Sequence, residues 1–386
     1  GGDGGDVRQA QRREPTQDDQ GELARTVERI VEVVPTPVWI ALAAMTLLAL
    51  VLGTRSTIDR RRARRLEGER ERLVRDMGLL ERVLLPQVPE RVGDLAASVA
   101  YRPAAGPAAG GDFYDVFELE GGRAALVVGD VSGHGREALE RTNALRPGLR
   151  AHLEAGLSPR AAIASAARTA GVDPSGGFTT VLAAVHDPGA GTLTYAAAGH
   201  PPPVVTGPGA HEPLTAVSSP PIGVGLRTGL RQTSVALPRG STACLFTDGL
   251  LEARSGGALL GHESLAGLVA ELGPLDPAAV VLDRVVERAD EVSDDMTACV
   301  VRAVAGSESV APRVEELELE PDELGSATPG RFLVACGLAA EAIAPVLAEA
   351  NRTAASGGAV LLRVTIDAAG TSASVTRPTP EALATT

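Results

Sequence analysis

The chain has 386 residues, enough for one large domain with appendages or for two domains, and its net charge of −13 argues against a general nucleic-acid binder, which needs a basic face. Cys244, Cys299 and Cys336 lie far apart, each in an apolar run, which excludes a zinc cluster of paired spacing and fits reduced, packed side chains of a cytosolic domain. Aromatic residues make up only 2% of the chain, so the core falls to Ala, Val and Leu; all 36 basic residues are arginine, a compositional bias that gives no single Arg a meaning over Lys.

Residues 1–32 are polar and carry Gly-Gly-Asp repeats, the composition of a disordered tail. The first residue is Gly rather than Met, which leaves room for an upstream portion. No charge occurs from Val33 to Thr54. As a helix rising 1.5 Å per residue this stretch reaches about 33 Å, the thickness of a bilayer's hydrocarbon core, so residues 33–54 are predicted to form a transmembrane helix. Arg55, Arg60, Arg61, Arg62, Arg64 and Arg65 follow it against the single acid Asp59, whereas the residues before it are net acidic. The positive-inside rule then places everything after the span in the cytoplasm, as a single-pass protein of the cell membrane.

Residues 55–89 begin as this basic juxtamembrane stretch and continue as a helix from Ile58 to Leu85, with a seam of Leu66, Leu73, Met77, Leu80 and Leu84. A seam this short suits either a coiled-coil homodimer through 58–85 or a helix docked on a sheet. Pro86 and Pro89 stop it.

Residues 90–304 read as alternating strands and short helices. Glu120-Gly121-Gly122-Arg123 is a tight turn between the strands on either side of it, and the antiparallel return brings Asp112 and Asp130 to the same end of the pair. Arg136 to Ala155 is helical in pattern, with Pro147 expected to kink or split it. Ser158-Pro159 is an N-cap and first-turn pair for a helix to Ala170. Strands follow at Phe178–Asp187, Thr192–Ala198, Arg231–Leu237, Thr242–Phe246 and Met296–Ala303, with helices at Glu263–Leu272 and Ala278–Asp290. This is a mixed α/β layered domain with largely antiparallel sheets.

Asp112, Asp130, Asp248 and Asp294 all stand at strand ends beside small residues. A lone acid there is most often a solvated turn former. Four together repel one another unless a cation intervenes, and oxygen-only donors select Mg²⁺ or Mn²⁺ over zinc. Two such ions about 3.5 to 4 Å apart would activate a water for in-line attack on a phosphate.

Gly110-Gly111-Asp112-Phe113-Tyr114-Asp115, Gly129-Asp130-Val131-Ser132-Gly133-His134-Gly135, Ala198-Gly199-His200-Pro201-Pro202, Thr247-Asp248-Gly249-Leu250 and Asp294-Asp295-Met296-Thr297, in this order, resemble the stage-II-sporulation-E-like, sigma-factor-regulating branch of the PPM or type-2C metal-dependent Ser/Thr protein phosphatases. The resemblance covers roughly residues 79–304. It implies an αββα sandwich of two antiparallel sheets flanked by helices, and a cofactor of two Mn²⁺ or Mg²⁺ ions. By this likeness Asp130 bridges both ions, the Val131 carbonyl and Asp112 hold one, and Asp248 and Asp294 hold the other. Asp295 takes the place where many relatives have Asn. Asp115 and Glu252 would support rather than ligate, His134 is a candidate general acid, and His200 is structural. The partner implied is a phosphorylated STAS-type anti-sigma-factor antagonist, with the helix before the domain as its regulatory element. The alternative is a phosphatase-like binding protein that has lost catalysis.

Residues 305–386 look like a small α/β module. A strand is expected at Val314–Leu319, a Gly-interrupted helical region at Arg331–Glu349, and a strand pair at Ala359–Ile366 and Ser372–Val375. The layout resembles, faintly, the GHKL ATPase domain often fused to such phosphatases, without the Asn-bearing helix and Gly-rich lid that hold nucleotide.

Overall fold

The computed structural model describes residues 35–56, 65, 86–103, 110–133, 135–172, 176–215 and 218–378. The chain divides into two units, Gly1–Arg72 and Leu73–Thr386. In the first, α1 (Thr36–Ser56) is 21 residues long and apolar enough to cross a membrane, and its residues are exposed. It begins three residues later than the uncharged run and ends two residues beyond it. Neither the polar tail 1–32 nor nearly all of the predicted regulatory helix 58–85 falls within the described residues.

The second unit is built, in chain order, of β1 (Arg91–Val92), β2 (Leu95–Arg102), β3 (Asp112–Glu118), β4 (Ala124–Val131), α2 (Arg136–Glu154), α3 (Pro159–Ala170), β5 (Thr179–Asp187), β6 (Thr192–Ala198), β7 (Val204–Thr206), β8 (Arg231–Ala236), β9 (Thr242–Phe246), α4 (Gly249–Glu252), β10 (Arg254–Ser255), β11 (Ala258–Leu259), α5 (Gly261–Ala270), α6 (Ala278–Arg288), β12 (Met296–Ala303), β13 (Arg313–Leu319), α7 (Thr328–Ala335), α8 (Ala340–Ala355), β14 (Val360–Asp367) and β15 (Gly370–Thr376). One sheet has the order β1-β2-β12-β9-β7 and a larger one β15-β14-β13-β8-β6-β5-β4-β3. All their ladders are antiparallel.

Alternation along β4 explains the layering. Ala124, Leu126 and Val128 face the first sheet, meeting Leu95, Leu245 and Val301, while Ala125 and Val127 face α2 and α3 through Leu149, Leu153 and Ile163. On the outer side of the first sheet, Phe246, Val300 and Met296 pack on Leu265 of α5 and Val281 and Val285 of α6. Helix, sheet, sheet, helix is the resulting order, the sandwich that the motifs implied.

Pro147 does not split its helix, one of the two outcomes expected there. Helix α2 runs unbroken through Pro147. Leu145, Leu149 and Leu153 are buried on one side of it and Pro147 is exposed on the other, so the lost backbone bond faces solvent while the packed face holds the helix together. Ser158 caps α3 as expected, its side chain accepting from the Ala161 amide.

Residues 313–376 continue the larger sheet rather than forming a sheet of their own. Strand β13 pairs with β8 on one side and β14 on the other, and α7 and α8 cover the extension through Phe332, Leu333 and Ala350. The two helices part at Gly337, whose φ of 76° lies in the left-handed region.

Candidate metal centre

The β3–β4 hairpin sets the first two acids. Its turn uses Gly121 and Gly122 at φ of 76° and 73°, and its register puts Asp112 directly opposite Asp130. The first sheet supplies the others: Asp248 follows β9, and Asp294 and Asp295 precede β12, the strand paired with β9.

Hydrogen bonds across the sandwich bind these ends together. Asp112 is buried, and its Oδ2 accepts from the hydroxyls of Thr247 (2.8 Å) and Thr297 (2.6 Å), both from the opposite sheet. His200 makes a second bridge. Its Nε2 lies 2.9 Å from the Phe246 carbonyl, which can only accept, so Nε2 carries the proton and Nδ1 accepts from the Thr180 hydroxyl at 2.8 Å. Burial pushes this imidazole down to about 4, so it stays neutral. Thr180 is the register partner of Asp130, and Phe246 lies two residues before Asp248. His200 thus fastens the strands that deliver both acids, a structural role as its motif suggested.

The field between the acids is strongly negative. Asp130 is raised from 3.8 to about 7 by burial, then by the charges of Asp248, Asp294, Asp295 and Glu252. Asp248 is raised by burial, Glu252 and Asp294. Asp112 lies well above the usual carboxylate range because burial, Asp130 and Asp295 outweigh the threonine hydrogen bonds. Asp112, Asp130, Asp248, Asp294 and Asp295 therefore share one place, with Glu252 at its border.

The donor chemistry of this place fits a hard divalent cation, since every side chain offers oxygen and the Thr hydroxyls hold Asp112 as partners hold a ligating carboxylate. Among the described residues, however, no three His, Cys, Asp or Glu side chains stand close enough to grip one ion as placed. Gly111 marks where backbone and side-chain oxygens converge: a Cβ there would collide with the Val131 carbonyl oxygen and lie 2.5 Å from Asp130 Oδ1. Gly111→Ala is therefore expected to destabilise the fold by roughly 1–3 kcal/mol, the range for overpacking, and to weaken Mn²⁺ binding. Urea unfolding with and without Mn²⁺ checks both.

The remaining sequence candidates divide. Asp115 is buried and paired to Arg150 at 3.2 Å, and the Arg150 guanidinium sits 4.2 Å from the Phe117 ring centroid, so Asp115 anchors α2 to β3. His134 lies outside the described residues. Asp295 joins the site as fully as Asp294, with the Tyr101 hydroxyl 3.4 Å from its Oδ2. Sequence reasoning passed over Thr247 and Thr297, although each stands inside a quoted motif within two residues of an acid. It also passed over Arg141, whose Nη1 donates to the Ser132 carbonyl at 3.1 Å and braces the turn after Asp130.

Residues 120–304 match the family model described as Stage II sporulation protein E (SpoIIE). The SiaA-PP2C domain of Pseudomonas aeruginosa is similar in fold, with a TM-score of 0.52 at 21% identity over 62% of this chain and 98% of that one. The RsbU and RsbW domains of Rv1364c from Mycobacterium tuberculosis give a TM-score of 0.47 at 23% identity, over 72% of this chain and 85% of theirs. The PP2C phosphatase domain and regulatory fragment of SpoIIE from Bacillus subtilis give 0.47 at 21%, over 54% and 63%. At such identities the first of these speaks for the fold, and the family model together with the five ordered motifs speaks for descent. Residues 120–304 thus belong to the SpoIIE-like branch of the PPM, or type-2C, phosphatase family.

Proposed function

We propose that this chain is a metal-dependent protein serine/threonine phosphatase acting on a phosphorylated STAS-type anti-sigma-factor antagonist. The observation that carries the reading is the burial of Asp130 together with the crowding of carboxylates around it, which lift it to about 7; a divalent cation relieves that crowding. Asp112, Asp130, the Val131 carbonyl, Asp248 and Asp294 are the proposed ligands of two Mn²⁺ or Mg²⁺ ions, with Asp295 beside them. When bound, such a pair lowers the pKa of a water and offsets charge on a phosphoryl group. The protein's own contribution is to orient: Thr247 and Thr297 fix Asp112, His200 ties the strand of Asp248 to that beside Asp130, and Arg141 holds the following turn.

The apolar helix α1 and the arginines after it support a single-pass placement with the catalytic domain in the cytoplasm. The seam at 58–85 is the proposed regulatory and dimerising element.

The test is hydrolysis of a phosphoserine peptide by the intact protein. Turnover with Mn²⁺ or Mg²⁺, lost on chelation, is expected; no turnover with either ion would sink the reading. A rise in melting temperature with Mn²⁺, larger at pH 8 than at pH 5, is expected as well, because below about 7 protons compete with the ion for Asp130.

A further inference from the structure

Beside the carboxylates lies a cavity of about 960 Å³, with Asp248 and Leu251 in its wall. Its other walls come from β6, β7, residues 211–215 and 218–219, β8 and α5. Pro201, Pro202, Val204, Val205, Leu214 and Ala266 give it apolar sides. Tyr195, His211, His262 and Arg231 also line it, and the Tyr195 hydroxyl lies 3.1 Å from His211 Nε2.

Two features make this more than a packing fault. His211 Nδ1 and His262 Nε2 are both out of solvent with no hydrogen-bond partner among the described residues. An unpartnered buried polar group is costly, by about 1–3 kcal/mol. The second feature is charge. Arg231 and Arg313 share the one buried carboxylate of Glu315, at 2.8 and 2.6 Å. Burial first, and then the charges of Arg313, His262 and Arg231, hold the His211 imidazole down at about 4, so it is neutral and stands in the field of both arginines. Glu212 and Glu263 line the cavity too, and both are exposed.

We propose that this cavity binds a small amphipathic monoanion, an aliphatic carboxylate whose chain lies on the proline and valine walls and whose head sits among His211, His262 and Arg231. The volume is that of a small-molecule site. A carboxylate accepts from the imidazole nitrogens and meets the potential set by the arginines, whereas its chain covers the apolar sides.

Calorimetric titration of the full chain with decanoate, in chelator so that no metal-bound anion contributes, tests this independently of the phosphatase reading. Saturable binding is expected, about fifteenfold tighter for decanoate than for octanoate, from two methylenes at about 0.8 kcal/mol each. Decanol should bind at least about tenfold more weakly than decanoate, and His262→Leu should weaken decanoate by about tenfold, the loss of a hydrogen bond to a charged group. Ala266→Phe, which fills the cavity from α5, should abolish binding; should that variant fail to fold, His262→Leu decides. Absence of binding at millimolar decanoate, equal affinity for decanol, or an unchanged affinity in folded variants would overturn the proposal.

Discussion

Replacing Asp130 by Asn is expected to abolish Mn²⁺-dependent hydrolysis of a phosphoserine peptide while making the metal-free protein harder to unfold at pH 8. The two effects share one cause. In the folded chain Asp130 ionises only near 7, whereas unfolded it ionises near 3.8, so the folded state resists giving up that proton. The stabilisation that comes with the proton is complete below about 4 and is lost as pH rises through about 7. The metal-free protein is thus penalised most in alkaline solution, with a ceiling of about 4 kcal/mol at 1.36 kcal/mol per pH unit. Partial solvent access lowers this, and a gain of about 2–4 kcal/mol for Asp130→Asn at pH 8, shrinking to under about 2 at pH 5, is the expected size. Urea denaturation in chelator at the two pH values measures it. On the activity side, the several kcal/mol of charge stabilisation at stake correspond to a loss on the order of 10³-fold in turnover. A variant equally active, or no more stable at pH 8 than the parent, would remove Asp130 from the centre of the site.

What could be read from the sequence was local. The turn Glu120-Gly121-Gly122-Arg123 fixes its own strand register, and Asp112 indeed stands opposite Asp130. Strands β6, β9 and β12 begin and end where the apolar runs do, because each is bounded by turn residues. Signals that depend on a distant neighbour were not legible. Pro147 reads as a break by its own chemistry, and only the packing of Leu145, Leu149 and Leu153 on the larger sheet shows why the helix continues. Thr247 and Thr297 carry no mark of the carboxylate they support, since Asp112 lies 135 and 185 residues away in sequence. The alternation in Arg313–Leu319 announces a strand without naming its neighbour, and here the structure adds most: the strand joins β8 and lengthens the sheet that bears Asp130.

That junction should be where a single buried charge matters most for stability. Glu315 is fully buried on β13 and reaches β8, where its Oε2 accepts from Arg231 Nη2 at 2.8 Å and from the Thr233 hydroxyl at 2.7 Å, while Oε1 faces Arg313 at 2.6 Å. Removing the carboxylate leaves two guanidinium groups with side chains only 12% and 19% exposed and without their shared counter-charge. Breaking a buried pair in this way costs about 3–5 kcal/mol, so Glu315→Leu is expected to lower unfolding stability by that amount. Glu320, 3.7 Å from Arg227 and with its side chain 44% exposed, makes the control, and Glu320→Ala should cost no more than about 1 kcal/mol. Because β13 is hydrogen-bonded into the catalytic sheet, the loss should shift one cooperative urea transition to lower midpoint. A separate early transition in Glu315→Leu, with Mn²⁺-dependent turnover intact after it, would show instead that residues 305–386 fold and fail on their own.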